Sequence, residues 1–290
     1  MRIRRTLRRG LHGAALLSTL SFFSSGAFAS DALSYQTAAA SAVARLDFAR
    51  ALEIYTKGLE QPFDDKERAH LLLMRGIAAD LANKSELALS DFNAVVKMVG
   101  DTDPRAYRER GFFYQHEGRY DLALADYTTG AKLFPRDAIF PNGQGRALME
   151  QGKFDEAIAR FDEAIRLDPA SGPYVMNRAE AFARSDRPQI AIEGYDRALA
   201  LGHLTGSDTY RLRVGAGSAH LALKNETAAI ESLDKAVELN PKSPTALRYR
   251  GLAYERAGKL DRARRDYEAI IALKPGDKPA TERLQKLSAR

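Results

Sequence analysis

The sequence predicts an all-α array of stacked two-helix units, and three observations carry that prediction. A cadence of large, glycine and alanine positions recurs about every 34 residues. Tyr107, Gly111, Tyr114, Gly118, Tyr120, Ala123, Tyr127 and Pro135 return as Gly145, Leu148, Gly152, Phe154, Ala157, Phe161, Ala164 and Pro169. They return again as Leu247, Gly251, Tyr254, Gly258, Leu260, Ala263, Tyr267 and Pro275. The prolines Pro135 and Pro169 are 34 residues apart, as are Pro241 and Pro275. Within a unit, Tyr107, Gly111 and Tyr114 are spaced four and three, and Tyr120, Ala123 and Tyr127 three and four, so each run marks one face of an α-helix. A period of this length belongs to units that cannot bury their apolar faces without a neighbour.

Residues 1–29 read as a secretory signal. Arg2, Arg4, Arg5, Arg8 and Arg9 precede an apolar, serine-containing run from Ala14 to Phe23, and Ala27-Phe28-Ala29 then offers a small-x-small cleavage site before Ser30. The run is too short and too rich in serine to span a bilayer. Arg4-Arg5-Thr6-Leu7 faintly resembles a twin-arginine signal, but its flanks fit poorly and general secretion is the expected route.

Seven units follow. The first, from Ala32, is marked by Phe48, Ala51 and Tyr55 at second-helix spacing, and the second begins near Ala69. In the third, from Pro104, Glu117-Gly118-Arg119 separates the two helices with a glycine where a helix C-terminus needs positive φ. Gly111 and Ala123 are small where their neighbours are aromatic, which lets the paired helices approach closely, and Pro135 ends the second helix. The fourth unit begins near Ala138, and Pro141-Asn142-Gly143-Gln144-Gly145 weakens the start of its first helix. That run lacks the third glycine and the preceding strand of a dinucleotide loop. The fifth, from Gly172, keeps Ala179, Phe182, Ala191, Tyr195 and Ala198 but has no closing proline. The sixth starts at Tyr210, 38 residues after Gly172, and the extra residues fall in the turn-rich stretch 202–208. The seventh starts at Pro244 and ends at Pro275-Gly276. The chain is therefore divided as signal 1–29, units one to five 32–205, an irregular loop 206–209, units six and seven 210–277, and a last amphipathic helix 278–290. That helix sets Ala280, Leu284 and Leu287 against Thr281, Glu282, Arg283 and Lys286, as a terminal cap requires.

These units resemble the tetratricopeptide repeat (TPR) family, whose pattern is a large residue, then Gly, Tyr, Ala, Phe or Tyr, and Pro at these offsets. The resemblance covers nearly all of the chain after residue 29. It implies a right-handed superhelical solenoid of about seven helix-turn-helix repeats with a C-terminal capping helix. It also implies a concave ligand wall lined by the first helices, and a non-catalytic scaffold or adaptor.

The formal charge of +6 is misleading. Without the five arginines of residues 1–29, the 44 basic residues become 39 against 38 acidic ones, a net of +1, which gives no basis for a nucleic-acid partner. The absence of cysteine excludes a lipidated N-terminal Cys, disulfides and Cys-ligated metal. His12, His70, His116, His203 and His220 form no i, i+4 pair and no dense cluster, so no zinc site is expected. With no nucleophile elbow and no paired carboxylates facing a pocket, the reading is non-enzymatic and without a cofactor.

Arg75, Arg110 and Arg250 each precede a first-helix glycine and each have an aspartate 16 residues on, at Asp91, Asp126 and Asp266. Ala38, Gln144 and Ala216 replace the arginine in units whose aspartate is also missing (Ile54, Arg160, Ser232), and Arg178 alone faces a glycine, Gly194. This co-occurrence predicts an interhelical ion pair inside the unit rather than a ligand-binding row. The surface left for a partner is the first-helix stripe facing away from the second helix: Leu73 and Ile77; Arg105, Arg108, Phe112 and Gln115; Asn142, Arg146 and Met149; and Glu180. Its excess of arginine, with an apolar section at Leu73, Ile77 and Phe112, suits a protein or peptide that combines carboxylates with apolar anchors. A self-associating structural protein and an enzyme regulator with a small-molecule site are the alternatives. A partner's C-terminal carboxylate is not the expected ligand, because Phe112, Gly143 and Pro173 stand where the resemblance would need Asn, Asn and a cation.

Export predicts that the mature protein begins at Ser30 and resides in the periplasm or outside the cell. N-terminal sequencing of protein from the envelope fraction should read Ser30 first. Intact Met1 protein recovered from the cytoplasm would contradict it.

Overall fold

In the computed structural model, which describes residues 30–288, every regular element is an α-helix. The expected signal segment 1–29 lies outside the described residues. The helices are α1 (Ser30–Ala44), α2 (Phe48–Leu59), α3 (Asp65–Leu81), α4 (Ser85–Val99), α5 (Pro104–His116), α6 (Tyr120–Leu133), α7 (Ile139–Glu150) and α8 (Phe154–Leu167). They continue with α9 (Gly172–Arg184), α10 (Pro188–Leu201), α11 (Gly206–Ala222), α12 (Glu226–Leu239), α13 (Pro244–Arg256), α14 (Leu260–Leu273) and α15 (Lys278–Ser288). Among the described residues no helix is long and apolar enough to cross a membrane. The chain divides into two units after Gln151: α1–α7 belong to the first and α8–α15 to the second.

Each turn between a first and a second helix holds one residue in the left-handed region. Gly118, Gly152 and Gly258 occupy it as the spacing predicts, but Leu46, Asn83, Asp186 and Lys224 occupy it too, with φ between 57° and 61°. In six of the seven turns the N–H of the following residue reaches back to a carbonyl five positions earlier, as in Arg119→Tyr114 (2.8 Å) and Lys84→Ala79 (2.8 Å), closing the helix C-terminus. A sequence marker based on glycine alone therefore sees only three of these seven turns.

Two expectations are corrected here. Residues 206–209 are not an irregular loop but the first turn of α11, which runs to 17 residues and starts on a capping box between Thr205 and Asp208. The same device begins α3, also 17 residues, with Asp64 and Glu67. The lengthened steps in the repeat thus become an extra helical turn. Residues 141–145 do not weaken α7 either: Pro141 falls in its first turn, where no intrahelical partner for an N–H exists, and Gly143 and Gly145 lie in continuous helix.

The core of the first unit is organised by second-helix rings lying on first-helix glycines. Tyr127 is fully buried between Gly111 of its own hairpin and Gly143 of the next, and a Cβ at either position would stand 2.7–2.8 Å from its ring. Phe92 lies on Gly76 in the same way. The Tyr127 hydroxyl donates to Gln115 (3.3 Å), whereas Tyr55, the corresponding residue of the first hairpin, has Val43 at that offset and no hydrogen-bond partner among the described residues. Burial pushes the Tyr55 hydroxyl up to about 12. In the second unit Tyr267 lies on Gly251 and Leu233 on Gly217, and Ala280 and Leu287 of α15 close the last core cluster with Leu284 packed beside them.

The arginine-aspartate pairs form as the sequence predicts. Arg75 grips Asp91 through Nε and Nη2 (both 2.8 Å), Arg110 grips Asp126 (2.8 and 2.7 Å), and Arg250 grips Asp266 (2.9 and 2.7 Å). The third guanidinium nitrogen reaches the second helix of the preceding unit, at Thr56, Asn93 and Asp234 respectively. Arg178 has Gly194 in place of the aspartate 16 residues on, and pairs with Asp162 of the preceding second helix (2.7 Å).

Two stability predictions follow from this packing. Gly111→Leu drives a side chain into the Tyr127 ring and should destabilise by about 1–3 kcal/mol, against no more than about 0.5 kcal/mol for the exposed Glu282→Ala; equal denaturation midpoints would contradict the assigned faces. Leu46→Gly relieves a left-handed leucine that is 75% exposed and should raise stability by about 0.5–1 kcal/mol, read as a higher urea midpoint.

Candidate functional site

In the first unit, side chains that bridge neighbouring first helices define the face left free by the helix-pair packing. Arg105 near the start of α5 donates to Asp103 through Nε (3.0 Å) and Nη2 (2.7 Å), while its Nη1 donates to His70 Nδ1 on α3 (3.3 Å). Burial and then the Arg105 charge lower the His70 imidazole to about 4, so it stays neutral and can accept that bond. Burial on its own would raise the Asp103 carboxyl, but hydrogen bonds from Arg105 hold it below the ordinary aspartate range. Arg108 pairs with Glu109 (2.9 Å). Two turns beyond Arg105 along α5, Phe112 carries the Arg146 guanidinium of α7 over its ring at 4.9 Å and meets His116 edge-on at 5.4 Å. His116 Nδ1 lies 3.5 Å from Asp80 of α3. A continuous polar and aromatic wall thus crosses α3, α5 and α7.

Of the residues expected on this wall, Arg105, Arg108, Phe112, Asn142 and Arg146 are half-buried, with part of each surface open to solvent. Leu73, Ile77, Gln115 and Met149 are buried instead, and their expected place on an open groove is corrected. Helical spacing puts them on the right face, but that edge of the stripe is packed inward, and Leu73 and Ile77 join the core cluster of the first unit. Gln115 in particular accepts the Tyr127 hydroxyl. Glu180 belongs to the second unit, where it pairs with Arg211 of α11 (2.5 Å).

The second unit holds two clefts that the sequence reading missed. One, of about 520 Å³, opens between α11 and α13 and has Leu221, Tyr249, Leu252 and Arg256 in its walls, with Lys224 and Glu226 at its edge. The other, of about 290 Å³, lies between α13 and α15 and shares Tyr249 and Leu252, adding Arg248, Pro279 and Arg283. The available signal was small residues at Ser218 and Ala222 in α11, which leave room beside the large Tyr249 of α13. Among the described residues no group of three or more His, Asp or Glu is placed to hold a metal ion.

Comparison with known proteins bears on the fold. The chain matches the family described as tetratricopeptide repeat over residues 114–172, 176–244 and 215–278. No curated protein matches it. Among solved structures it is similar to a chain of the Cut9–Hcn1 hetero-tetramer, at 20% identity and TM-score 0.69, covering 86% of this chain and 54% of that one, so it spans about half that chain's length. It is also similar to a TPR protein from Parabacteroides merdae, at 14% identity and TM-score 0.66 over 90% and 100% of the two chains. A third is the pilF protein of Pseudomonas aeruginosa, at 18% identity and TM-score 0.64 over 78% and 98%. At such identities these likenesses show the fold alone. With its hairpins, their glycine-seated rings and a family match reaching from residue 114 to 278, the chain belongs to the tetratricopeptide repeat family.

Proposed function

We propose that this protein is a non-catalytic interaction scaffold of the cell envelope, which holds a partner protein or peptide against the first-helix wall of α3, α5 and α7. The fold supports the general role, since the family builds interaction surfaces from stacked hairpins. A similar fold, YrrB (18% identity, TM-score 0.51), is described as having an unusual peptide-binding site. Export rests on the composition of residues 1–29.

The observation that carries the choice of wall is the Arg146–Phe112 stack at 4.9 Å, an aromatic face and a guanidinium held together on a surface the core does not use. Aromatic and arginine side chains are the types enriched at binding hot spots, and Arg108 adds a second cation one turn away. A partner offering an apolar anchor beside carboxylates fits this chemistry. Arg105 is the least suitable probe of the three arginines, because it also ties the start of α5 to α3 through His70.

Affinity capture from the envelope fraction, with the captured protein identified and its Kd measured against purified scaffold, tests the reading. Phe112→Ala should weaken binding about 30-fold, the equivalent of about 2 kcal/mol, with unchanged helicity. Arg108→Glu with Arg146→Glu should lower both affinity and its salt dependence. Full-strength binding by all of these variants would remove the wall from consideration.

A further inference from the structure

The two clefts of the second unit share a ridge, and four of the five charged side chains in their linings, Lys224, Arg256, Arg248 and Arg283, are cationic. Tyr249 and Leu252 stand on α13, half-buried, with their inner edges packed on the C-terminal core cluster. On the α11 side, Arg256 donates to the Leu221 carbonyl (2.8 Å), and neither Arg256 nor Lys224 has a carboxylate within ion-pair distance among the described residues. Glu226 is the acid on that edge. On the α15 side, Arg248 pairs with Asp277 (3.0 Å) and Arg283 with Glu255 (3.0 Å). Both acids are sunk beneath their partners: the Asp277 and Glu255 side chains are 2% and 14% exposed, against 41% and 46% for Arg248 and Arg283. A ligand approaching the α13–α15 cleft therefore meets a cationic edge around an apolar floor, and one approaching the α11–α13 cleft meets two cations against the single acid Glu226.

We propose that these clefts form a second binding site, independent of the α3–α5–α7 wall, that takes an extended peptide segment with two apolar side chains flanked by side-chain carboxylates. One apolar side chain enters each cleft across the Tyr249–Leu252 ridge, and the carboxylates meet Lys224 and Arg256 on one side and Arg248 and Arg283 on the other. The clefts lie on opposite sides of a single helix, so their separation is set by helix packing, about 8–10 Å between axes. An extended polyproline-type chain rises about 3.1 Å per residue and repeats its face every three residues, or about 9 Å. Apolar residues three positions apart thus match the two clefts in an extended ligand, whereas the same three-residue spacing on a helix advances only about 4.5 Å and does not.

The test uses the mature chain and a fluorescein-labelled hexapeptide, Asp-Leu-Glu-Pro-Leu-Asp, followed by anisotropy. Binding should weaken as salt rises and should fall at least tenfold when both leucines of the peptide become alanine or its acids become lysine. Lys224→Asn, at an exposed turn where Asn suits the left-handed backbone, should weaken binding about three- to tenfold, and Tyr249→Ala at least tenfold. In a Phe112→Ala background, which removes the anchor of the other unit's wall, the peptide should still bind and should still be lost with Tyr249→Ala, so loss of the first site and loss of this one are read separately. Absence of binding to the unaltered protein, equal binding of the lysine peptide, or full binding by both Lys224→Asn and Tyr249→Ala would overturn the proposal. A concentration-dependent dimer abolished by Tyr249→Ala would also overturn it, assigning the clefts to a second copy of the chain.

Discussion

The contact between an aromatic ring and a glycine is the constraint on which the rest of the packing depends. Tyr127 is the clearest instance: its ring is enclosed by Gly111 of its own hairpin and Gly143 of the next, so one side chain sets the approach of three helices. Phe92 on Gly76 and Tyr267 on Gly251 repeat the contact. A Cβ on any of these glycines would meet the ring well inside van der Waals contact, while a smaller residue in place of the ring would leave a cavity, so neither partner can change alone. Ala123 and Ala263, both fully buried, keep the second helices close enough for the rings to reach.

The arginine-aspartate pairs add register to this packing. A bidentate guanidinium fixes direction as well as distance, and Arg75, Arg110 and Arg250 each extend it to the second helix of the preceding unit. Partly buried pairs of this kind lose solvation when they form, so their effect is better understood as specifying how hairpins stack than as a large gain in stability. Arg178 shows the logic by its exception. Its own hairpin offers Gly194, yet the preceding second helix supplies Asp162, so the inter-hairpin half of the pattern survives when the intra-hairpin half is lost.

Because the hairpin interiors are committed to rings and ion pairs, the recognition proposed above uses the faces the first helices present to one another. In the first unit that face is polar and aromatic, with its arginines engaged by Asp103, Glu109 and Phe112. In the second unit it is opened by Tyr249 and Leu252 into clefts with cationic edges. The two faces differ because α11 carries Ser218 and Ala222 where α5 carries Phe112 and His116, so one wall is filled and the other is indented.

The helix pairs, their order, the closing cap and the pairing of Arg75, Arg110 and Arg250 with their aspartates were all legible in the sequence. Each depends on residues within one repeat, where helical periodicity fixes which side chains meet. Periodicity also placed Arg105, Phe112 and Arg146 on a common face. It could not separate them from Leu73, Ile77, Gln115 and Met149, which share that face but are buried. Nor could it find the left-handed turns at Leu46, Asn83, Asp186 and Lys224, where the closing hydrogen bond and not a glycine holds the backbone. The extra turn of α11 was present in the sequence as the local capping box of Thr205 and Asp208 but went unread, whereas the clefts beside Tyr249 were decided by tertiary structure alone. By itself the sequence determined which residues face each other along a helix; only the stacking of one hairpin on the next decided how much of each face stayed open, because that depends on side chains more than thirty residues away.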